Sequence, residues 1–236
     1  MNPIPDREEP NVYKECAFAD SAMVEIKSGN RLLVEMQYPK RGMKSAEARC
    51  FVREEVRQKL LEAAEKLPKG YCLKILDAWR PFALQQELYD VYAKEIIEKF
   101  SLEGMAEEEQ KRIIRKYVSE PKEDRNIPPV HTTGGAVDVT LVYEDGKEVP
   151  MGTGFDDFFE MTDTDYFEKQ GSSEEDRVEE TVNIRENRRL LYHAMTEVGF
   201  TNLPSEWWHF DYGNRFWGYY NQKPAIYRGL FSEEDF

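Results

Sequence analysis

The sequence is poor in cysteine and histidine and has no long apolar run, and each scarcity removes a class of protein. Its three cysteines, Cys16, Cys50 and Cys72, are odd in number and widely spaced, with no C-x-x-C pair. Such spacing suggests neither a disulfide framework nor a thiolate zinc site. Reduced thiols remain, which suit the cytoplasm. No stretch approaches the ~20 apolar residues of a membrane-spanning helix. The first ten residues carry neither a basic n-region nor an apolar h-region, so no signal peptide and a cytoplasmic location are expected. Basic residues are in deficit too: 32 against 46 acidic ones leave a net charge of −14. A field of that sign repels phosphate backbones and anionic lipid, which argues against nucleic acid or a membrane surface as a partner.

What is present reads as a globular chain. Over 236 residues, 40% hydrophobic and 33% charged content fits a single domain spanning 1–236 with insertions. Residues 1–20 form a polar lead-in. Two short apolar runs, Met23 to Ile26 and Leu32 to Met36, flank Ser28-Gly29-Asn30 and predict a hairpin. Val52, Val56, Leu60, Ala63, Ala64 and Leu67 recur at helical spacing up to Pro68-Lys69-Gly70. Leu73, Ile75 and Trp79 alternate as on a strand ending at Arg80-Pro81, and a second amphipathic helix carries Leu84, Leu88, Tyr92 and Ile96. Residues 101–129 are polar, with one helix near Ile113, Ile114 and Tyr117, and end in Pro128-Pro129.

Ala136 to Val142 predicts a strand with divided faces: Val137, Val139 and Leu141 on one, Ala136, Asp138 and Thr140 on the other. Residues 160–180 hold nine acidic and two basic residues, half of the net charge, and predict a solvated loop or lid. A third helix is expected from about Val182 to Val198, and the last ordered stretch from Glu206 to Tyr212. Helices and short strands without regular β-α-β alternation predict an α+β fold, a small antiparallel sheet packed against helices.

Three histidines make each one informative. His193 lies opposite the apolar stripe of the third helix and is expected to be a surface residue without a role. His131, after a stiff proline pair, precedes Asp138 by seven residues, and the small neighbours of Asp138 leave room above its carboxylate. Imidazole and carboxylate are half of a zinc site; the alternative is a histidine capping a turn and an aspartate bonded to nearby amides. Glu206-Trp207-Trp208-His209 offers another ligand and a candidate general base. Residues three apart face opposite sides of a regular strand, so a shared site requires a bulge or turn; the alternative is an aromatic core strand. Asp77-Ala78-Trp79-Arg80-Pro81 delivers a guanidinium at a strand end, as a surface ion pair or as a cation that stabilises an oxyanion.

His131-Thr132-Thr133-Gly134-Gly135-Ala136-Val137-Asp138 resembles the H-x-x-G-x-A-x-D signature of the D-alanyl-D-alanine dipeptidases, zinc enzymes of the Hedgehog/D,D-peptidase fold. Glu206 to His209 is similar to that family's E-W-W-H, Asp77 to Pro81 to its D-G-[YW]-R-P with Ala78 in place of Gly, and Met151 to Asp156 to its M-G-x-x-F-D. Order and spacing agree from about Tyr38 to Tyr212. The resemblance implies that His131, Asp138 and His209 bind one Zn²⁺ per chain, that Glu206 is the general base and that Arg80 steadies the transition state. It also implies that Tyr38 and Asp156 contact the substrate, with Asp156 holding the substrate's free amino group.

The expected reaction is zinc-dependent hydrolysis of D-alanyl-D-alanine, or a related small dipeptide, in peptidoglycan-precursor turnover or cell-wall recycling. A D,D-carboxypeptidase or endopeptidase on larger peptidoglycan peptides and a non-catalytic zinc-containing binding module are the alternatives. One departure stands out. The family pattern often begins S-x-H, whereas Pro129-Val130 precede His131 here, removing a hydroxyl from the neighbourhood of the site.

Overall fold

The computed structural model describes residues 1–11, 15–19, 21–115, 117–118, 120–125, 127–157, 159–169 and 179–236. Two short strands open the fold, β1 (Met23–Ile26) and β2 (Leu32–Val34), followed by the one-turn helix α1 (Gln37–Lys40). The two strands do not form the expected hairpin. β1 pairs antiparallel with β3 (Cys50–Arg53), while β2 pairs in parallel with β4 (Tyr71–Asp77), matching Leu32 to Leu73 and Val34 to Ile75. The Ser28-Gly29-Asn30 signal is a turn, but it redirects the chain between two sheets: Gly29 bridges Leu32, Asn30 has φ +40°, and the Ser28 hydroxyl accepts from Val34 N at 2.8 Å. Pairing with the long strand β4 buries more of Leu32 than a two-stranded hairpin would.

Helix α2 (Glu54–Lys66) starts at the expected apolar period, but Val52 belongs to β3. Val52 and Val56 are both fully buried, which gives the strand residue a helix-like spacing by coincidence. Helix α3 (Phe82–Lys99) and helix α4 (Glu107–Ile114) follow, then a 3₁₀ turn over Val130–Thr133 and the strand β5 (Ala136–Tyr143). The expected acidic loop over 160–180 falls partly on 170–178, outside the described residues; its described part includes a 3₁₀ turn at Glu160–Thr162 and the short helix α5 (Tyr166–Lys169). Helix α6 (Glu179–Thr196), strands β6 (Thr201–Asn202) and β7 (His209–Asp211) and helix α7 (Arg215–Asn221) complete the order. α7 lies beyond the last ordered stretch expected from the sequence. Asn214 caps it, accepting from the backbone N–H groups of Phe216 and Trp217, an N-cap signal that an aromatic-rich segment obscured.

The main sheet has five strands in the order β2-β4-β5-β7-β6, antiparallel except for the edge pair β2-β4. Val137, Val139 and Leu141 of β5 are fully buried against Val56, Leu60 and Ala63 of α2 and Leu191 and Met195 of α6. Helices α3 and α4 enclose a second cluster, Leu84, Leu88, Tyr92, Ile96 and Ile114, which also holds Tyr38 of α1. The lead-in is anchored: Ile4 is buried and its N–H donates to Glu168 at 3.0 Å, and Glu9 accepts from Ser205 N at 2.9 Å. His193 stays outside the cleft as expected, its Nε2 2.8 Å from the Asn2 carbonyl.

Candidate active site

Two backbone irregularities turn side chains towards one face of the sheet. The β4–β5 register pairs Ile75 with Val139 but Asp77 with Asp138, so one extra residue of β4 is accommodated between them. Because strand side chains alternate, that bulge moves Asp77 onto the face of Asp138. It also ends the strand at Asp77, two residues before Trp79, whose indole N–H donates to Leu230 O at 2.8 Å. At the other side of β5, the 3₁₀ turn that carries His131 ends at Gly134 with φ +70°. A Cβ on Gly135 would lie 2.3 Å from Tyr212 O. The glycine pair therefore lets the His131 turn close against the chain after β7. Arg53, itself buried, ties this turn down from behind by donating to Thr133 O at 2.7 Å.

Glu206 and His209 meet through the turn that their spacing required. His209 N donates to Glu206 O at 3.1 Å, and the Glu206 carboxylate comes to 3.8 Å from His209 Nδ1. Ligand atoms of His131, Asp138 and His209 all lie within 4.8 Å of one another, and all three residues are buried. His209 Nδ1 is 3.0 Å from Asp138 and 3.2 Å from His131 Nε2.

The outer hydrogen bonds aim these nitrogens. His131 Nδ1 donates to Ala78 O at 2.8 Å, and His209 Nε2 donates to Asp211 at 3.1 Å. The remaining nitrogens, His131 Nε2 and His209 Nδ1, converge as lone-pair donors. Burial works against charge on Asp138, yet His131 and His209 hold its carboxyl well below the usual range. Burial also opposes charge on His209, but Asp211 and Asp138 raise it well above an ordinary imidazole. A site that attracts a proton this strongly attracts a divalent cation by the same field, and two imidazoles with one carboxylate are a zinc-type donor set. The residues fit a metal ion.

The cleft above the cluster has a volume of about 380 Å³ and is lined by Tyr38, Arg80, Asp156, Glu206 and Trp208 together with the cluster itself. Every residue singled out for chemistry in the sequence, His193 excepted, thus lies in or on this cleft. Arg80 donates to Asp77 at 3.0 Å, to Gln85 at 3.0 Å and to Tyr38 at 3.2 Å, with Asp138 3.7 Å away. Asp156 has φ +62°, a left-handed conformation that aspartate tolerates better than most residues. Its Oδ2 accepts from Tyr92 at 2.8 Å and Arg41 at 2.7 Å; among the described residues Oδ1 accepts only from Tyr38, at 3.3 Å.

Burial pushes the Asp156 carboxyl up to about 6 against the pull of Arg41. Burial likewise pushes Glu206 up to about 8; His209 opposes this, and Asp138 and Asp156 reinforce it. The Glu206 side chain keeps 32% of its surface open to the cleft, so it is both shifted and reachable. The loop that carries Asp156 is held at both ends by Arg188 of α6, which is 2% exposed. Arg188 donates to Met151 O at 2.8 Å, Met161 O at 2.7 Å and Asp163 O at 2.7 Å.

Residues 37–227 match the D-ala-D-ala dipeptidase family. The chain belongs to that family. Similar proteins include D-alanyl-D-alanine dipeptidases of Synechocystis sp., 33% identical over 63% of this chain and 63% of the relative. Those of Escherichia coli (35% identical, 37% of this chain, 40% of the relative) and Enterococcus faecium (36%, 34% and 35%) are similar over shorter stretches. The chain thus spans less than two thirds of the length of these relatives.

Within the D-ala-D-ala dipeptidase frame, several supporting residues had escaped the sequence reading. Asp77 was legible only as part of a motif, and Asp211 could have been found two places after His209 on the same strand face. Tyr92 counted only as part of an apolar helix stripe, although its hydroxyl reaches Asp156. Arg41, Gln85 and Arg188 carry no local signal; only the folded chain brings Gln85 to the cleft, Arg41 to Asp156 and Arg188 to the peptide oxygens of the loop that carries Asp156.

Proposed function

We propose that this chain is a zinc-dependent D,D-dipeptidase that hydrolyses D-alanyl-D-alanine, or a closely related small dipeptide, to free amino acids in peptidoglycan-precursor turnover or cell-wall recycling. The observation that carries the reading is the convergence of His131, Asp138, His209 and Glu206 in one cleft that also holds Asp156. In it, His131, Asp138 and His209 hold one Zn²⁺, which when bound supplies Lewis acidity towards water and the scissile carbonyl.

The chain's own residues do the rest. Burial pushes the Glu206 carboxyl up, and the positive charge of a bound Zn²⁺ beside it would favour the ionised form that accepts a proton from the attacking water and returns it to the departing amine. Arg80, fixed by Asp77 and Gln85, presents its positive charge where negative charge develops on the carbonyl oxygen. Asp156 receives the substrate ammonium on the side of Oδ1, with Tyr38 and Tyr92 fixing its orientation. A cleft of about 380 Å³ suits a small ligand rather than a glycan-linked peptide.

The reading takes 1–236 as one domain, supported by the single five-stranded sheet that the site spans. It places the enzyme in the cytoplasm, where the buried, unbridged Cys50 and Cys72 stay reduced. No described helix is long and apolar enough to cross a membrane. The test is release of free D-alanine from D-alanyl-D-alanine by the purified protein, with added zinc and with a chelator. Chelator-sensitive release, absent with N-acetylated dipeptide and with tripeptides, is the expected result. Equal turnover of N-blocked or longer peptides would instead establish a carboxypeptidase or endopeptidase.

A further inference from the structure

A second guanidinium lines the cleft besides that of Arg80, and it is unused. Arg80 is fixed by Asp77, Gln85 and Tyr38 and committed to the developing oxyanion. Arg215, the first residue of α7, also lines the cleft, yet among the described residues it makes no hydrogen bond and no ion pair, and its Nε is buried without a partner. Its Cζ lies 4.5 Å from the ring centroid of Phe216, which flanks the guanidinium with an aromatic surface. Burial disfavours its charge, and the attraction of Asp211, whose Oδ1 is engaged by His209 and Asn214 and whose Oδ2 is buried without a hydrogen-bond partner among the described residues, does not offset this. A desolvated cation in that condition gains from any anion that enters the cleft.

The ligand that the cleft is read to take has one anion to offer. A dipeptide is a zwitterion, and once its ammonium meets Asp156, its α-carboxylate still needs a charged partner. Arg215 belongs to a different group of residues from the Tyr38–Tyr92–Asp156 cluster and shares no hydrogen bond with it. Pro129, Val130, Leu203 and Phe216, which also line the cleft, offer no side-chain hydrogen-bond donor. Guanidinium binds carboxylate in a two-point fork, a geometry an ammonium cannot reproduce. We propose that Arg215 is a specificity-determining residue that binds the free α-carboxylate of the dipeptide, so that the cleft recognises both termini and reads peptide length; this rests on the dipeptidase reading above.

The test compares the zinc-loaded wild type, Arg215→Gln and Arg215→Lys on D-alanyl-D-alanine and on its C-terminal amide, with KM and kcat determined separately. Loss of a charged hydrogen-bonding partner corresponds to about 10- to 100-fold in binding. Arg215→Gln is expected to raise KM for the free dipeptide by about that factor, with kcat within about 3-fold and the amide unaffected; Arg215→Lys should recover part of the loss. A merely structural role would impair both substrates alike, and that result overturns the proposal, as does an unchanged KM in Arg215→Gln. Should that variant fail to fold, the wild type still decides: equal KM for acid and amide refutes a carboxylate subsite. A wild type that releases no D-alanine from the free dipeptide sinks the dipeptidase reading and the subsite together, whereas normal wild-type turnover with an indifferent Arg215→Gln sinks the subsite alone.

Discussion

Glu206 and His209 sit three residues apart and 3.8 Å from each other, yet their replacement separates chemically. Glu206→Ala leaves three ligand side chains in place, so zinc should stay near one per chain while kcat falls by about 10²–10⁴, as for loss of a general base. Metal analysis beside a ninhydrin assay checks both numbers, and near-normal turnover would remove Glu206 from its role. His209→Ala takes a ligand away and leaves Asp211 buried without its imidazole partner; zinc and activity should disappear together. Asp156 supplies a pH dependence. Its carboxyl is pushed up to about 6, so it is neutral below that pH and ionised above it. Because only the ionised form attracts an ammonium, kcat/KM for D-alanyl-D-alanine should fall as pH drops through about 6. Asp156→Asn should have low kcat/KM throughout and lack this acid limb; an identical limb in the variant would assign the titration elsewhere.

At the scale of elements, the decisive pieces are short and irregular. The β5 strand was legible from its alternating faces, and so was the placement of Asp138 on the open one. The β4 bulge was not: Leu73, Ile75 and Trp79 alternate in sequence as if the strand were regular, and only pairing with β5 reveals the extra residue that turns Asp77 towards Asp138. The β1–β2 hairpin failed for a related reason, since local turn chemistry cannot state which strand a short apolar run will join. The Gly134-Gly135 turn allows a direct test. A Cβ at Gly135 would press on the Tyr212 carbonyl at 2.3 Å, a backbone atom that cannot swing aside. Gly135→Ala should therefore destabilise the fold by about 2 kcal/mol or more and weaken zinc binding, because the same displacement moves His131 relative to β7. Denaturant unfolding and zinc titration measure the two effects; a variant with unaltered midpoint and affinity would show that the turn has slack.

For the whole molecule, a metal held by His131, Asp138 and His209 would join parts of the chain far apart in sequence, since these residues come from the 131 turn, β5 and β7. Binding to the native state alone stabilises it by about 4 kcal/mol at a thousandfold excess over Kd. For a chain of this size, a chelator should then lower the thermal midpoint by on the order of 10 °C; a midpoint indifferent to chelator and zinc would mean that no metal is bound there. The cluster of His131, Asp138 and His209, with Glu206 and Arg80 beside it, was legible because each is a rare or strongly typed residue within a distinctive short pattern. Arg41, Gln85, Tyr92 and Arg215 were not, because ordinary residue types acquire roles here only through long-range packing.

The Arg188 clamp has a consequence for the protein's history. It grips the loop carrying Asp156 through three peptide oxygens, and peptide oxygens are the same whatever residue bears them. Exposed side chains of the loop such as Phe159 and Met161 can therefore change without loosening the grip that shapes it. A lineage built this way can exchange exposed residues of the loop one at a time while the frame that presents Asp156 stays constant.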